Sequence, residues 1–418
     1  MKRVLVTGGA GFIGSHVADA LLGKGYAVRV LDNLSPQVHL NGSRPGYLSP
    51  EAELVIGDIR DADQVAKSLD DIDAVIHLAA AVGVGQSMYQ IAAYTSVNDL
   101  GSAVLLEALA KRPVERLVCA SSMSVYGEGL AMRKSGEIVS PADRPIDQLR
   151  RGAWELEDDD GSPLTPVPTP ENKIPSLNSI YALGKYVQER MCLIAAQAYD
   201  IPAVALRFFN VYGPRQALSN PYTGVLAIFA ARLLHDRPPL IFEDGCQKRD
   251  FIHVRDVAKA CILSLEAVST IGVLNIGSGV SRTVVSIAED LARVMGKERI
   301  RPHIVGKYRA GDIRHCFASI ARAETALGFR PIVEFAEGLG ELAAWLSGEQ
   351  AQDNIDIATA ELEKRGLVAW RRCRRLFSLP ADAGLLAAIS PTRWQRAAGP
   401  SSPMIIFRAP DRRKTRIG

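Results

Sequence analysis

Short apolar, β-branched runs alternate along the first half of the chain with longer stretches in which apolar residues recur every three or four positions. "RVLVTG" from Arg3, "AVRVLDN" from Ala27, "ELVIGD" from Glu53, "AVIHLAA" from Ala74, "RLVCASS" from Arg116 and "AVALRFFN" from Ala203 are of the first kind. They predict strands that are apolar on both faces. "FIGSHVADALLGKG", "DADQVAKSL", "LGSAVLLEALAKR" and "YALGKYVQERMCLIAAQAY" lie between them and predict helices. This alternation predicts an α/β fold with a parallel, doubly wound Rossmann sheet. After Asn210 proline and glycine become more frequent. A helix ("LAIFAARLLHD"), a strand ("GVLNIGSG") and another helix ("VVSIAEDLARVMG") then predict a smaller C-terminal lobe that binds substrate.

The expected organisation is a nucleotide-binding domain over 1–206, to which parts of 247–278 return, and a lobe over 207–348. Within the first, residues 128–179 interrupt a regular strand–helix unit with an acidic run ("ELEDDD") and a proline-rich run ("SPLTPVPTP"), which marks an insertion. An extension covers 349–418, and its periodicity fades after 368, where disorder is expected. The formal net charge of +3 is uneven. From Trp370 onward Lys and Arg outnumber Asp and Glu by eleven to two, so the rest of the chain is mildly acidic. Nucleic acid and membrane partners are not expected for that body. No apolar run approaches the ~18 residues of a membrane helix, and a signal peptide is not expected before the first strand. The six cysteines form no CxxC pair, which predicts reduced thiols in a cytoplasmic protein and no metal site.

"TGGAGFIG" at Thr7–Gly14 follows a predicted strand and opens a predicted helix. Gly8, Gly11 and Gly14 permit a tight turn, close approach to a pyrophosphate, and close strand–helix packing. The helix N-terminus then offers unpaired N–H groups to the phosphates. Asp32 ends the second strand, where a carboxylate accepts from both ribose hydroxyls and repels a 2′-phosphate. The cofactor expected is therefore NAD rather than NADP. "GDIRD" ends the third strand and puts Asp58 and Ile59 near the adenine edge, with Asp61 as a helix N-cap.

Tyr181 and Lys185 stand one helical turn apart in "YALGK". A free phenol has a pKa of about 10. A nearby ammonium and a nicotinamide cation favour the phenolate, making the phenol a usable base. Ser121 and Ser122 end a strand in "SSMSVYG", at the carboxyl edge where ligands bind in such sheets. A hydroxyl there can bond to a sugar oxygen and share a proton with the tyrosine.

Taken together, "TGGAGFIG", "DN" at Asp32–Asn33, "GDIRD", "HLAA" at His77–Ala80, Asn98, "SSMSVYG", "YALGK", "RFFNVYGPRQ", "RDFIHVRDVA", "NIGSG" and "RAGD" resemble the extended short-chain dehydrogenase/reductase superfamily. The branch is that of NAD-dependent sugar-nucleotide epimerases and dehydratases, and the resemblance covers roughly residues 1–345. It implies Tyr181 as base and acid, Lys185 as its electrostatic partner and a ribose ligand, and Ser122 as the hydroxyl partner. It implies Gly8, Gly11, Phe12, Ile13, Gly14, Asp32, Asn33, Asp58, Ile59, Leu78, Ala79, Ala80 and Asn98 around NAD. It implies Asn210, Arg249, Arg309 and Asp312 on the diphosphate side of a nucleotide sugar, for which a bidentate arginine is suited. His77 is expected to be structural beneath the cofactor, and His253 to be a core or interface residue.

In this branch NAD takes a hydride from sugar C4 while the tyrosine takes the hydroxyl proton. In the 4,6-dehydratases an Asp–Glu pair follows the hydroxyl residue and drives loss of water. Met123 and Ser124 occupy those positions here, so C4 epimerisation is expected. The insertion resembles that of bacterial dTDP-L-rhamnose 4-epimerases, without the cysteine pairs many of them carry. UDP-glucose or UDP-glucuronate 4-epimerisation is the alternative within enzymes. A catalytically silent NAD-binding sensor or scaffold is the alternative from another class, and the presence of Tyr181, Lys185 and Ser122 argues against it. A homodimer is expected through "LGSAVLLEALAKR" and "YALGKYVQERMCLIAAQAY".

Overall fold

The computed structural model describes residues 2–39, 41–216, 224–309, 311–348 and 355–370. The segment expected to be disordered after 368 lies, beyond Trp370, outside the described residues.

Seven strands form the main sheet in the order Gly272–Ile276, Ala203–Phe208, Arg116–Ser122, Ala74–His77, Arg3–Thr7, Ala27–Asp32, Glu53–Ile56. Every adjacent pair is parallel. The expected doubly wound sheet is present, with all six strands predicted before Asn210 in it; the seventh, from "GVLNIGSG", joins its edge instead of the lobe, as a returning part of 247–278. Alternation explains both faces. Val4 and Val6 enter one core with Val17, Leu21, Val257, Cys261 and Leu274. Leu5 enters the opposite core with Val65, Leu105, Leu109, Leu117 and Cys192. Leu5 is wholly buried, and truncating such a leucine to alanine typically costs about 2–5 kcal/mol.

The chain begins mid-sheet, winds outward to Glu53–Ile56, then crosses to Ala74–His77 on the other side of its first strand. Strand order thus reverses between Arg3–Thr7 and Ala74–His77. Their carboxyl ends, Thr7 and His77, open the crevice where such sheets take ligands.

A second sheet sets Lys248–His253 between the parallel strand Asn210–Tyr212 and the antiparallel strand Ser281–Thr283, with His315–Cys316 also pairing to it. Helices Val225–Leu234, Val284–Val294 and Phe335–Ser347 bury Phe229, Leu233, Ile287, Leu291, Leu339 and Leu342 against Phe251 and Tyr212. Residues 128–179 contain a small antiparallel sheet of Ala131–Met132, Ile138–Val139 and Thr165–Pro166, and a helix Ile146–Arg151. Ala131, Leu156 and Leu164 form a small core of its own with Val139 packed on it, and Leu149 and Trp154 pack with Tyr308. A helix Ile355–Lys364 leads to a strand Val368–Trp370, which pairs antiparallel with Lys307–Arg309.

Candidate active site

The glycine turn has little room for side chains. Gly8 has φ +68°, and a Cβ there would lie 2.9 Å from the Ala79 backbone. A Cβ on Gly14 would lie 2.2 Å from the Gly8 carbonyl oxygen. Only glycine lets the helix Phe12–Gly23 start so close to the strand it follows. Its N-cap is Gly11, with no side-chain cap, so first-turn N–H groups remain for an anion. Phe12 and Ile13 form that first turn, and Ile13 packs on the core. These features fit a pyrophosphate.

Asp32 accepts from the Ala10 N–H at 3.0 Å and the Leu34 N–H at 2.9 Å. Each oxygen keeps lone pairs free for a diol. Asp58 is gripped by Arg60 and accepts from Asn33 at 3.2 Å, which holds its carboxyl well below the usual carboxylate range. Ile59 is buried against Gly101. Asn98 uses both ends of its amide on one residue: Oδ1 accepts from the Ala81 N–H at 2.7 Å and Nδ2 donates to the Ala81 carbonyl at 3.1 Å. It therefore shapes the loop of Leu78, Ala79 and Ala80 that faces the glycine turn. The Ala79 N–H itself donates to Thr7 Oγ1 at 3.2 Å.

The helix Ile180–Ala198 starts at Ser179, whose Oγ accepts from the Ala182 N–H at 3.0 Å. This cap sets Tyr181 in the first turn, where its N–H donates to Ser87 Oγ at 3.1 Å. The Tyr181 phenol lies beside the Ser122 side chain, which favours its charged form. Ser122 Oγ also accepts from Ser124 Oγ at 2.9 Å and from the Ser124 N–H at 3.2 Å. Met123 and Ser124, next in sequence, are both buried.

Burial pushes the Tyr181 phenol above its ordinary value, and Ser122 beside it only opposes this. The expectation that Lys185 lowers that pKa is not met in the chain by itself. The Lys185 ammonium turns instead to Gln188 Oε1, and desolvation outweighs the rest. Lys185 is 3% exposed, and burial lowers its own pKa. His77, wholly buried, is pushed down to about 3 by desolvation and then by Lys185. It is neutral at any working pH.

On the lobe side, Asn210 Nδ2 donates to the Asp250 carbonyl at 2.9 Å. Arg249 donates to the carbonyls of Ile313 and Arg314 and approaches Asp312 at 3.9 Å. The Arg309 guanidinium lies 4.4 Å over the Phe242 ring, and its buried Nε has no partner among the described residues. A cation held this way is available to an anion. Met123, Val125, Tyr126, Phe209, Cys316 and Ala318 share a small core edged by Ile313. A Cβ on Gly311 would lie 3.7 Å from the Asn178 carbonyl oxygen. The fold thus brings Asp312 and Arg249 to the same edge as Ser122 and the start of the tyrosine helix. His253 is a buried helix cap that faces Glu341 at 3.4 Å and the Tyr212 ring, at the lobe's core.

Sequence reasoning missed Thr7, Ser87, Ser102 and Gln188 as site residues. Only Gln188 carried a local signal, lying three residues after Lys185 on the same helical face. The other three reach the site through the order of the strands.

The family described as "NAD dependent epimerase/dehydratase family" matches residues 4–147 and 158–277. A dTDP-L-rhamnose 4-epimerase from Burkholderia thailandensis is 35% identical over 84% of this chain and 97% of its own length. A putative UDP-glucose 4-epimerase from Methanocaldococcus jannaschii is 34% identical over 82% of this chain and 98% of its own. Among solved structures, UDP-glucuronic acid 4-epimerase from Bacillus cereus, in complex with UDP-glucuronic acid and NAD, superposes with a TM-score of 0.68 at 28% identity. The match covers 83% of this chain and 99% of that one.

Proposed function

The chain belongs to the NAD-dependent epimerase/dehydratase family and is an NAD-dependent enzyme acting on nucleotide sugars, and we propose that it inverts C4 of dTDP-L-rhamnose. When bound, NAD takes up and returns the C4 hydride. Tyr181 takes the C4 hydroxyl proton through Ser122 or directly, then returns it once the 4-keto sugar has turned its other face. Ser122 holds the sugar oxygen, and Lys185 supplies positive charge beneath the reacting end. Arg249 and Arg309, with Asn210 and Asp312, hold the nucleoside diphosphate while the sugar rotates. The glycine turn, Asp32 and the Leu78–Ala80 loop hold the cofactor.

The observation that carries inversion over loss of water is the pair after Ser122. Met123 has no proton to move, and the Ser124 hydroxyl is engaged with Ser122. Neither serves as the general acid or base that dehydration needs. The dTDP-L-rhamnose reading rests on the Burkholderia relative. UDP-glucuronate is the second reading, favoured by the likeness to the Bacillus cereus structure. An enzyme of activated sugars working in the cytoplasm, without nucleic acid or membrane partners, suits either. No helix among the described residues is long and apolar enough to cross a membrane. A homodimer fits the exposed Leu100, Leu183 and Ile194 on the two helices expected to pair, and light scattering of the purified chain tests it.

An NMR time course with dTDP-L-rhamnose, UDP-glucose and UDP-glucuronate tests the reaction. One substrate should convert to its C4 epimer, with a loss of roughly 10²–10⁴-fold in Tyr181→Phe, the range for removing a general acid–base. A 4-keto-6-deoxy product would overturn the argument from Met123 and Ser124.

A further inference from the structure

Behind the tyrosine lies a buried chain of hydrogen bonds that no motif in the sequence announces. Gln188 is wholly buried. Its Oε1 accepts from the Lys185 ammonium, while its Nε2 donates to His77 Nε2 at 2.8 Å and to Ser102 Oγ at 2.9 Å. Ser102 passes its own proton to the Asn98 carbonyl. His77 Nδ1 lies 2.7 Å from Thr7 Oγ1.

His77 Nε2 also lies 3.0 Å from Ser102 Oγ, but the 2.8 Å approach of the Gln188 amide favours one arrangement. An amide turned the other way would aim its NH₂ at an ammonium, two donors face to face. With Oε1 on the lysine, the NH₂ meets His77 Nε2, which must then be an acceptor. The histidine proton therefore sits on Nδ1 and goes to Thr7. A charged imidazole could not accept, so a neutral His77 is required. Gln188 takes one of the three ammonium protons and leaves two for a bound ligand.

We propose that Gln188 is the positioning residue for Lys185: its amide, oriented by the Nδ1–H tautomer of His77, holds the buried ammonium in place and keeps it charged. This rests on the reading of Lys185 as a ligand of the NAD ribose. The strand ending at Thr7, the strand ending at His77 and the lysine's own helix are tied into one unit by this contact. The other ionisable groups around Lys185 cannot do this work. Cys119 and Cys192 are buried thiols, from the strand Arg116–Ser122 and from the lysine's helix. Glu189 is committed to Arg207 at 2.7 Å and Ser121 at 2.6 Å. Asp99 faces Gly184.

The test is NAD affinity of the cofactor-stripped full chain, by calorimetry from pH 6 to 10, which needs no sugar turnover. A ligand that uses an ammonium binds the protonated form, so affinity is lost as pH rises through the lysine's pKa in the free protein. Lys185→Met should abolish this alkaline limb. Gln188→Leu removes the dipole that favours charge and should move the limb about one pH unit lower. Gln188→Glu, nearly isosteric, puts a carboxylate on the ammonium and should move it about one unit higher. A merely structural role would weaken binding or stability with the limb unmoved, or shifted the same way in both variants, and either result overturns the role of Gln188. If Lys185→Met leaves the parent's pH profile unchanged, the reading of Lys185 as a cofactor ligand fails, and the proposal with it.

Discussion

Two of the buried polar networks among the described residues are built on opposite principles. Behind the tyrosine, Thr7, His77, Ser102 and Gln188 are neutral and end on a single cation, Lys185. Where residues 128–179 meet the lobe, the groups are nearly all charged. Arg314, with no side-chain exposure, pairs with Glu155, Glu243 and Asp244. Arg144 pairs with Glu243 at 2.9 Å and also reaches the Trp154 and Asp312 carbonyls. Glu128 accepts the backbone N–H groups of Arg314 and His315, and His315 meets Glu155 at 2.8 Å. In the second network carboxylates outnumber arginines four to two, so every cation is paired as the cluster fastens the insertion to the lobe, and none is left over. The first network leaves one charge uncompensated by any counter-ion, at the place where a ligand would lie. A cluster in which every cation is paired suits fixing a subdomain. A neutral relay suits holding a cation for someone else.

That contrast can be broken most sharply at Arg314. Arg314→Met leaves the buried Glu243 with Arg144 alone and takes the arginine from Glu155 and Asp244, and removing one partner of a buried pair typically costs about 3–5 kcal/mol. Denaturant unfolding should show the loss, and limited proteolysis should cut first within 128–179. NAD affinity of the folded fraction should stay at the parent level, since the two networks share no residue.

A smaller effect is expected in the neutral relay. Thr7→Val leaves the Ala79 N–H and the His77 Nδ1–H without their acceptor, a loss of about 1–3 kcal/mol for an unsatisfied buried group. Here the outcome should reverse: denaturant unfolding moves less than with Arg314→Met, while NAD affinity falls because the Leu78–Ala80 loop shifts.

The smallest difference is in acid. His77 has a folded pKa of about 3 against an ordinary 6.5. Its neutral form is the folded one, so its contribution is complete above pH 6.5 and is lost as pH falls toward 3. Glu155 is held down to about 2 by His315 and Arg314, so the ionic cluster keeps its contribution above the ordinary carboxylate value of 4.5 and loses it below. Between pH 6.5 and 4.5 both networks lose stability through a histidine, since burial lowers the His315 pKa as well, and a His77 variant isolates the relay's share. Relative to the parent, His77→Gln should flatten the fall in unfolding free energy there by about 1.4 kcal/mol per pH unit, one proton's worth. Equal slopes in the two proteins would mean that His77 is already protonated or already exposed.

Much of the fold could be read from spacing. Alternating apolar runs such as "RVLVTG" and "AVIHLAA" encode a strand buried on both faces, because side chains alternate every residue. "YALGK" puts Tyr181 and Lys185 on one helical face for the equally local reason of helical period. The glycines of "TGGAGFIG" announced their turn because only glycine tolerates the approach at Gly8 and Gly14. Less visible was the strand Val368–Trp370, whose partner Lys307–Arg309 lies some sixty residues earlier. So was the state of Tyr181, whose pKa depends on how completely the finished fold excludes water.

By itself, then, the sequence determined the elements, their parallel winding, the phosphate turn and the tyrosine–lysine pair, all products of short-range geometry. Only the tertiary structure decided which cation answers to which acceptor. Thr7, His77, Ser102 and Gln188 lie on separate elements, and Glu128, Arg144, Glu155, Glu243 and Arg314 lie in loops far apart along the chain. They meet because strand order and loop return bring distant positions within hydrogen-bonding reach. Periodicity along the chain is blind to such encounters, since they are fixed by the packing of elements against one another.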